Sequence, residues 1–316
     1  MPLFSQLPPI PPFFMGRLKK TSPAPTIFPY VDTKSAPTVA VFVEKKFSEL
    51  YPDASLAWLE TIFQDMVTLF SGRHPDYAAA DLRYHDFEHT LQATVCMTLL
   101  LAGRHAAGVQ PRLTARQFEL GISAVLLHDT GYLKLRSDTG GTGAKYTYCH
   151  VLRSCAFVAS YLPTLGANDH EVDAVLGAIN CTGQKKDISR QKICEPFERI
   201  IGCALATADY LGQMAAADYP DEMSILFHEF KESDDFIHLP PSRRAFKSES
   251  DVALRTPLFW RKFVQPKLES DCQAVYRFLA LPYPHGANAY LDAVEKNIAE
   301  IERRNAVTLT PKLKKK

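Results

Sequence analysis

The stretch LTARQFELGISAVLLHDTG, residues 113–131, decides the fold. Thr114 and Gln117 stand in the register of a capping box, in which each side chain accepts a backbone N–H at a helix N-terminus. Apolar residues then recur at helical spacing, and the glycine that closes the stretch is typical of a helix end. The stretch therefore predicts a buried helix that ends in two adjacent polar residues, His128 and Asp129.

Most of the remaining chain repeats this helical pattern, with apolar stripes bounded by caps, glycines or prolines. Further helices are predicted over 54–70, 89–101, 146–162, 168–183, 196–216 and 288–305. The helix from His89 is expected to end at Gly103. Because no alternating apolar run is bounded by turn signals, we expect an all-α fold, a compact multi-helix bundle with polar motifs between its helices.

The two ends differ from the middle of the chain. Residues 1–38 hold nine of the 22 prolines, and proline fixes φ and removes a backbone donor. We expect an extended or disordered arm over 1–38, a helical domain over 39–240 with its motifs in 84–213, and helices of the same domain over 241–307. These last helices are expected to wall the site or to support a homodimer. Residues 308–316 are predicted to form a basic tail.

Composition excludes several classes of partner. The net charge of +1 gives no electrostatic basis for binding a nucleic acid polymer or an anionic membrane. No apolar run reaches the roughly 18 residues of a membrane helix, and no secretory signal is recognisable. Seven cysteines without regular spacing are typical of reduced thiols. We therefore expect a cytoplasmic protein.

The motif YHDFEH, residues 84–89, carries two histidines four positions apart. On a helix, His85 and His89 would share one face. Together with Glu88 they match the HxxEH signature of zinc peptidases, in which the glutamate is the general base. Asp86 has no role in that interpretation.

Three polar residues elsewhere lie in apolar surroundings. His128 and Asp129 end the run ISAVLL, and Asp209 lies inside the apolar helix IIGCALATADYLGQM. A buried carboxylate is costly unless it is paired or bound to a metal. A divalent ion ligated by His89, His128, Asp129 and Asp209 explains all of them at once. Nitrogen and oxygen ligands of this kind suit zinc, manganese, magnesium or iron.

The ordered set of YHxxxH, HD and a later helix-borne aspartate resembles the HD-domain superfamily of metal-dependent phosphohydrolases. The cyclic-nucleotide phosphodiesterases are the most similar branch, and the resemblance covers residues 75–225. It implies the same metal ligands, with His85 at the position of the histidine that protonates the leaving oxygen. It also implies hydrolysis of a phosphoester, of a nucleotide or a related small molecule, by metal-activated water.

The chain departs from that family pattern in two places. Phosphodiesterases continue HD with a second aspartate and then HPG, and alarmone hydrolases continue it with an acidic pair, whereas this chain reads HDTGYLK. The His-His pair of the cyclic-di-GMP branch is replaced by Asn180 and Cys181. His150, which follows Asp129 on the next predicted helix, is therefore the candidate for a second ion or a phosphate contact. A structural histidine is the alternative.

Candidate substrate contacts come from the loop YLKLRSDTGGTGAKY, residues 132–146, and from the helix of Asp209. Lys134 and Lys145 would suit a phosphate, and glycines let backbone approach a ligand. Gln213 is the candidate contact for a base or sugar, and a capping or solvated residue is the alternative. A surface loop is the alternative for 132–146, and the acids of HEFKESDD, residues 228–235, are expected on an exposed helix face.

Three other functions stay open. A di-iron oxygenase of the HD fold needs more ligands than this chain supplies even if His150 binds. A zinc peptidase needs Glu88 as its base. A nucleotide sensor without catalysis would bind its ligand without turnover, and the sequence does not exclude it.

Overall fold

The computed structural model of the protein describes residues 30–183, 188 and 195–313, without side chains for 308–313. These residues form eleven helices and no strand, which confirms the all-α prediction. In chain order they are α1 (Ala36–Leu50), α2 (Ala57–Phe70), α3 (Phe87–Ala106), α4 (Ala115–Leu127), α5 (His150–Tyr161), α6 (Asp169–Ile179), α7 (Pro196–Met214), α8 (Met223–Phe236), α9 (Glu249–Phe259), α10 (Gln265–Glu269) and α11 (Ala289–Leu313). Most of the predicted arm, residues 1–29, lies outside the described residues.

The centre of the bundle is the packed pair α3 and α7. α3 also contacts α1 and α4, and α7 contacts α6 and α11. Gly212 allows the close crossing, since a Cβ there would lie 2.8 Å from the backbone nitrogen of Ala93. Gly212 is about one turn beyond Asp209, and Ala93 is one turn beyond His89. The crossing therefore brings these two side chains together.

The predicted capping box is present, and a second one begins α6. Gln117 N donates to Thr114 Oγ1 at 3.2 Å, and Thr114 N donates to Gln117 Oε1 at 3.0 Å. Asn168 and Glu171 make the same reciprocal pair at the start of α6. α4 ends at Leu127, so His128 and Asp129 follow directly from the bundle core as predicted.

Several predicted helix ends were wrong. α3 continues past Gly103 to Ala106. The glycine is needed for another reason, because the backbone at Phe278 packs directly against it. α5 begins at His150 rather than at 146, since 143–146 forms a separate 3₁₀ turn. α11 runs to Leu313 and thus into the segment predicted as a tail. Within the described ranges, no helix is long and apolar enough to cross a bilayer.

Gly103 offers a test of the packing. A Cβ at this position would lie 2.0 Å from the carbonyl oxygen of Phe278, so Gly103→Ala must push the two segments apart. We expect it to lower the free energy of unfolding by about 1–3 kcal/mol, as overpacked cores do. Gly177 in α6 is the matched control, because a Cβ there meets nothing within 4 Å. Gly177→Ala should raise the free energy of unfolding by about 0.5–1 kcal/mol, measured by urea denaturation. Equal effects of the two changes would contradict the packing described.

Candidate metal centre

Side chains from three segments meet beside the α3–α7 crossing. His89 comes from the first turn of α3, Asp209 from α7, and His128 and Asp129 from the end of α4. His89 Nε2 lies 3.2 Å from Asp209 Oδ1 and 3.4 Å from Asp129 Oδ2. His128 Nε2 lies 3.4 Å from Asp129 Oδ2 and 3.6 Å from Asp209 Oδ1. The structure thus brings together all four residues predicted as ligands.

These spacings fit a common ion. Nitrogen and oxygen ligands at about 2.1 Å from one tetrahedral metal lie about 3.4 Å apart. One ligand atom from each of His89, His128 and Asp209 lies within 4.8 Å of the others, and no other such group of three is found in the described part of the chain. These three side chains could therefore hold a divalent cation, and Asp129, which lies 3.4 Å from both histidines, is not part of that group of three.

Two of these atoms lack any other partner. His128 Nε2 and Asp129 Oδ2 are buried and make no hydrogen bond within the described residues. A buried polar atom without a partner costs about 1–3 kcal/mol, so such atoms are rare in folded proteins. A metal ion between them satisfies both at once. This pair of orphaned atoms is the strongest structural sign of a metal.

The tautomer of His128 is suited to metal binding. Its Nδ1 lies 2.7 Å from the carbonyl oxygen of Val125, and this bond requires the proton on Nδ1. The lone pair of Nε2 then faces the other ligands. Ser154 of α5 fixes the same turn, because its hydroxyl donates to His128 O and accepts from Gly131 N.

The carboxylates and imidazoles of the centre shift one another's pKa. Burial lowers the pKa of His89, but the carboxylates of Asp129 and Asp209, at 3.4 and 3.2 Å from its Nε2, outweigh it and raise the pKa to about 10. Burial raises the pKa of each aspartate, but the neighbouring histidines hold it well below the usual range. In the metal-free protein at neutral pH, His89 therefore carries a proton in an ion pair with two carboxylates.

Metal affinity should consequently depend on pH. A divalent ion must displace the proton of His89, whose pKa of about 10 lies above the value of 6.5 for a free histidine. We expect affinity to rise about tenfold per pH unit from pH 6.5 to 9 and to level off as pH passes 10. The stability that the imidazolium gives the metal-free protein has the opposite trend, being complete below pH 6.5 and lost as pH rises through 10. Calorimetry in buffers of different ionisation enthalpy measures the released protons, and proton-independent binding would contradict this assignment.

His85 lies beside the four ligands but outside α3. Asp86 begins that helix, since its Oδ1 accepts the backbone N–H of His89 at 3.0 Å. This cap is the role that the sequence left unassigned, and it corrects the expectation that both histidines of the motif share a helix face. Glu88 accepts a hydrogen bond from Thr33 at 3.2 Å, on a wall of a different cavity of about 340 Å³.

Glu229 of α8 holds His85 in place. Its Oε2 lies 2.7 Å from His85 Nδ1, and its Oε1 accepts the backbone N–H groups of Arg83 at 3.0 Å and Tyr84 at 2.8 Å. Burial opposes ionisation, but the hydrogen bond with His85 leaves the pKa of Glu229 lowered. The prediction that the acids of 228–235 are exposed was wrong for Glu229, which is 7% exposed, and for Asp234, which is 1% exposed.

His150 approaches the centre from the other side. Its Nε2 lies 3.7 Å from Asp129 Oδ1, the oxygen that faces away from His89 and His128. Its Nδ1 donates to the carbonyl of Thr147 at 2.7 Å, so Nε2 keeps its lone pair. Burial lowers the pKa of His150 and favours the neutral ring. A second ion beside Asp129 would find this nitrogen available, and its role stays a prediction.

The other candidate contacts have partners within the protein. Lys134 pairs with Asp81 at 2.9 Å, and Lys145 pairs with Asp138 at 2.5 Å. Gln213 accepts from the Tyr84 hydroxyl at 2.6 Å and donates to the backbone oxygen of Asp209 at 2.8 Å. These bonds order the loop and the walls of the site, and direct contact of the three residues with a substrate stays a prediction.

No protein-family model matches this chain, and no curated protein with a matching sequence is found. The functional interpretation therefore rests on the residues of the site and on their geometry.

Proposed function

We propose that this protein is a metal-dependent phosphohydrolase of the HD type. The orphaned atoms His128 Nε2 and Asp129 Oδ2, at 3.4 Å from each other, carry the proposal, because they are what such a hydrolase presents to its metal. The order of the motifs along an all-α chain supports it further. His89 and Asp209 complete the proposed ligand set.

A divalent ion at this position supplies an activated water and neutralises charge on phosphoryl oxygens. The protein shields the centre from bulk water, since His89, His128 and Asp129 are each at most 3% exposed. Gln213 holds Asp209 through its backbone oxygen and holds Tyr84 through its hydroxyl. The ligand geometry is thereby prepared before any substrate arrives.

His85 is the proposed general acid. Glu229 takes its Nδ1–H, which leaves Nε2 as the atom that gives a proton to the departing alkoxide. The carboxylate of Glu229 also stabilises the charged ring before the proton is transferred. The two backbone bonds of Glu229 fix the segment that carries His85, so the acid and its partner form one unit.

The proposed substrate is a small phosphoester, of a nucleotide or a related molecule. Lys134, Lys145 and Gln213 are its predicted contacts, and the first two would need to exchange their present ion pairs for it. A homodimer and a cytoplasmic location stay predictions. The metal stays one of zinc, manganese, magnesium or iron.

The test combines metal analysis with a panel of phosphoesters. The purified protein is stripped of metal, reloaded with each of the four ions, and assayed on cyclic nucleotides, dinucleotides, nucleoside monophosphates and phospholipid headgroups. We expect turnover of at least one substrate, and only with metal. Glu88→Gln should retain this activity, whereas it would inactivate a peptidase. A loaded protein that hydrolyses no member of the panel, or that consumes dioxygen instead, would contradict the proposal.

A further inference from the structure

Tyr132 lies between the two histidines that flank the centre. Its ring is stacked on His85 with centroids 4.7 Å apart and planes at 19°, and on His150 with centroids 4.5 Å apart and planes at 11°. Both faces of one aromatic ring are therefore covered by imidazoles. The side chain is 2% exposed and comes from the turn that directly follows Asp129.

The backbone around Tyr132 holds this position tightly. Tyr132 N donates to Asp129 O at 3.1 Å. A Cβ at Gly131 would lie 1.9 Å from His150 O, and one at Gly143 would lie 2.2 Å from Tyr132 O. Glycine at 131 allows α5 to approach the ring, and glycine at 143 allows the 3₁₀ turn 143–146 to approach it. The location of the ring relative to Asp129 is set by the fold and not by a flexible loop.

The Nδ1 atoms of both imidazoles are also held by hydrogen bonds. Glu229 holds Nδ1 of His85, and the carbonyl of Thr147 holds Nδ1 of His150. One hydrogen bond leaves an imidazole free to swing about that bond. A flat face against each ring removes this freedom, and Tyr132 provides both faces.

We infer that Tyr132 is a positioning residue, which sets the planes and the separation of His85 and His150 on either side of the centre. Its side chain acts through these histidines, and its contact with the proposed ligand Asp129 is the backbone hydrogen bond from Tyr132 N to Asp129 O. The consequence for catalysis rests on the proposed function, in which His85 is the acid. The consequence for ring orientation does not, because it concerns the metal-free protein as well.

The flat ring is the feature that matters. Aromatic rings in parallel contact attract imidazoles through a face that an aliphatic side chain lacks. Tyr132→Phe keeps both faces and loses only the hydroxyl. Tyr132→Leu removes the faces, and Tyr132→Met does so with a flexible chain that fills irregular space. The leucine and methionine variants serve as two independent tests if one of them folds poorly.

The experiment records the imidazole resonances of ¹³C-histidine-labelled, metal-free protein, assigned with His85→Asn and His150→Asn. In the wild type, the ring current of Tyr132 shifts both signals upfield. We expect the phenylalanine variant to keep these shifts. The leucine and methionine variants should move both signals downfield and leave that of the exposed His228 unchanged.

Kinetics of the metal-loaded variants form the second readout. We expect kcat to fall about 10- to 100-fold in the leucine and methionine variants because the acid His85 is misplaced, while the ion at the four proposed ligands is retained. The phenylalanine variant should recover most of the activity. Unmoved resonances in the non-aromatic variants, or a phenylalanine variant as impaired as leucine, would overturn the inference. If the wild type has no phosphoesterase activity, the proposed function fails, while the resonances still decide the role of Tyr132.

Discussion

Replacement of His128 by alanine is expected to abolish both metal binding and turnover. His128 Nε2 is a buried atom without a hydrogen-bond partner, and alanine leaves one proposed ligand atom of the centre missing. Loss of a partner that merely orients a metal ligand costs about 10- to 100-fold in affinity, and loss of the ligand itself should cost more. Isothermal titration with Zn²⁺ or Mn²⁺ measures the affinity, and the phosphoester assay measures the turnover.

His228→Ala is the matched control, because this histidine is exposed and pairs with Glu249, which is not among the proposed ligands. It should bind metal and turn over substrate as the wild type does. Metal should stabilise the wild type and the control, by about 2.7 kcal/mol at a metal concentration of 100 times Kd. It should not stabilise the His128 variant. Full metal content in His128→Ala would refute the ligand assignment.

The second large effect is expected at His85, where asparagine should lower kcat about 10²- to 10⁴-fold, the range for loss of a general acid. Glu229→Gln should lower it about 10- to 100-fold, because the histidine keeps its place but loses the carboxylate that orients it. Metal affinity should stay close to wild type in both variants, since neither residue belongs to the ligand set. Steady-state kinetics and titration of metal measure the two effects separately.

The surface pair His228 and Glu249 is again the control, because it is the same kind of histidine–carboxylate pair at 3.1 Å but away from the centre. His228→Asn and Glu249→Gln should leave kcat unchanged. An ester with a leaving group that needs no proton should be cleaved by His85→Asn nearly as fast as by the wild type. An equal loss on that ester and on a poor leaving group would contradict the role of His85 as the acid.

The sequence predicted the parts of the fold that local chemistry determines. The capping box of Thr114 and Gln117 marks a helix start by its own residues, and the structure has that pair of hydrogen bonds. The ligands could be predicted because His128 and Asp129 follow an apolar helix and Asp209 lies within one. Polar groups that are buried in this way need partners in any fold. Asp86 was readable in principle as an N-cap before α3.

Other features depend on contacts between distant segments. Glu229 meets His85 across 144 residues, and it lies in the segment HEFKESDD, where five of eight residues are charged, so the sequence favoured exposure over burial. Gly103 looked like a helix end, because the crossing of Phe278 that requires it is a tertiary contact. The stack on Tyr132 likewise joins three separate segments, and no spacing within the sequence indicates it.

The most direct test of the central claim is an anomalous difference map from crystals grown with Mn²⁺ or Zn²⁺. We expect a peak between His89 Nε2, His128 Nε2, Asp129 Oδ2 and Asp209 Oδ1, at about 2.0–2.2 Å from each ligand atom. His85 should lie outside the coordination sphere with its Nδ1 on Glu229. A map without a peak at this position in saturating metal, or with the ion bound by His85 and His89 beside Glu88, would contradict it.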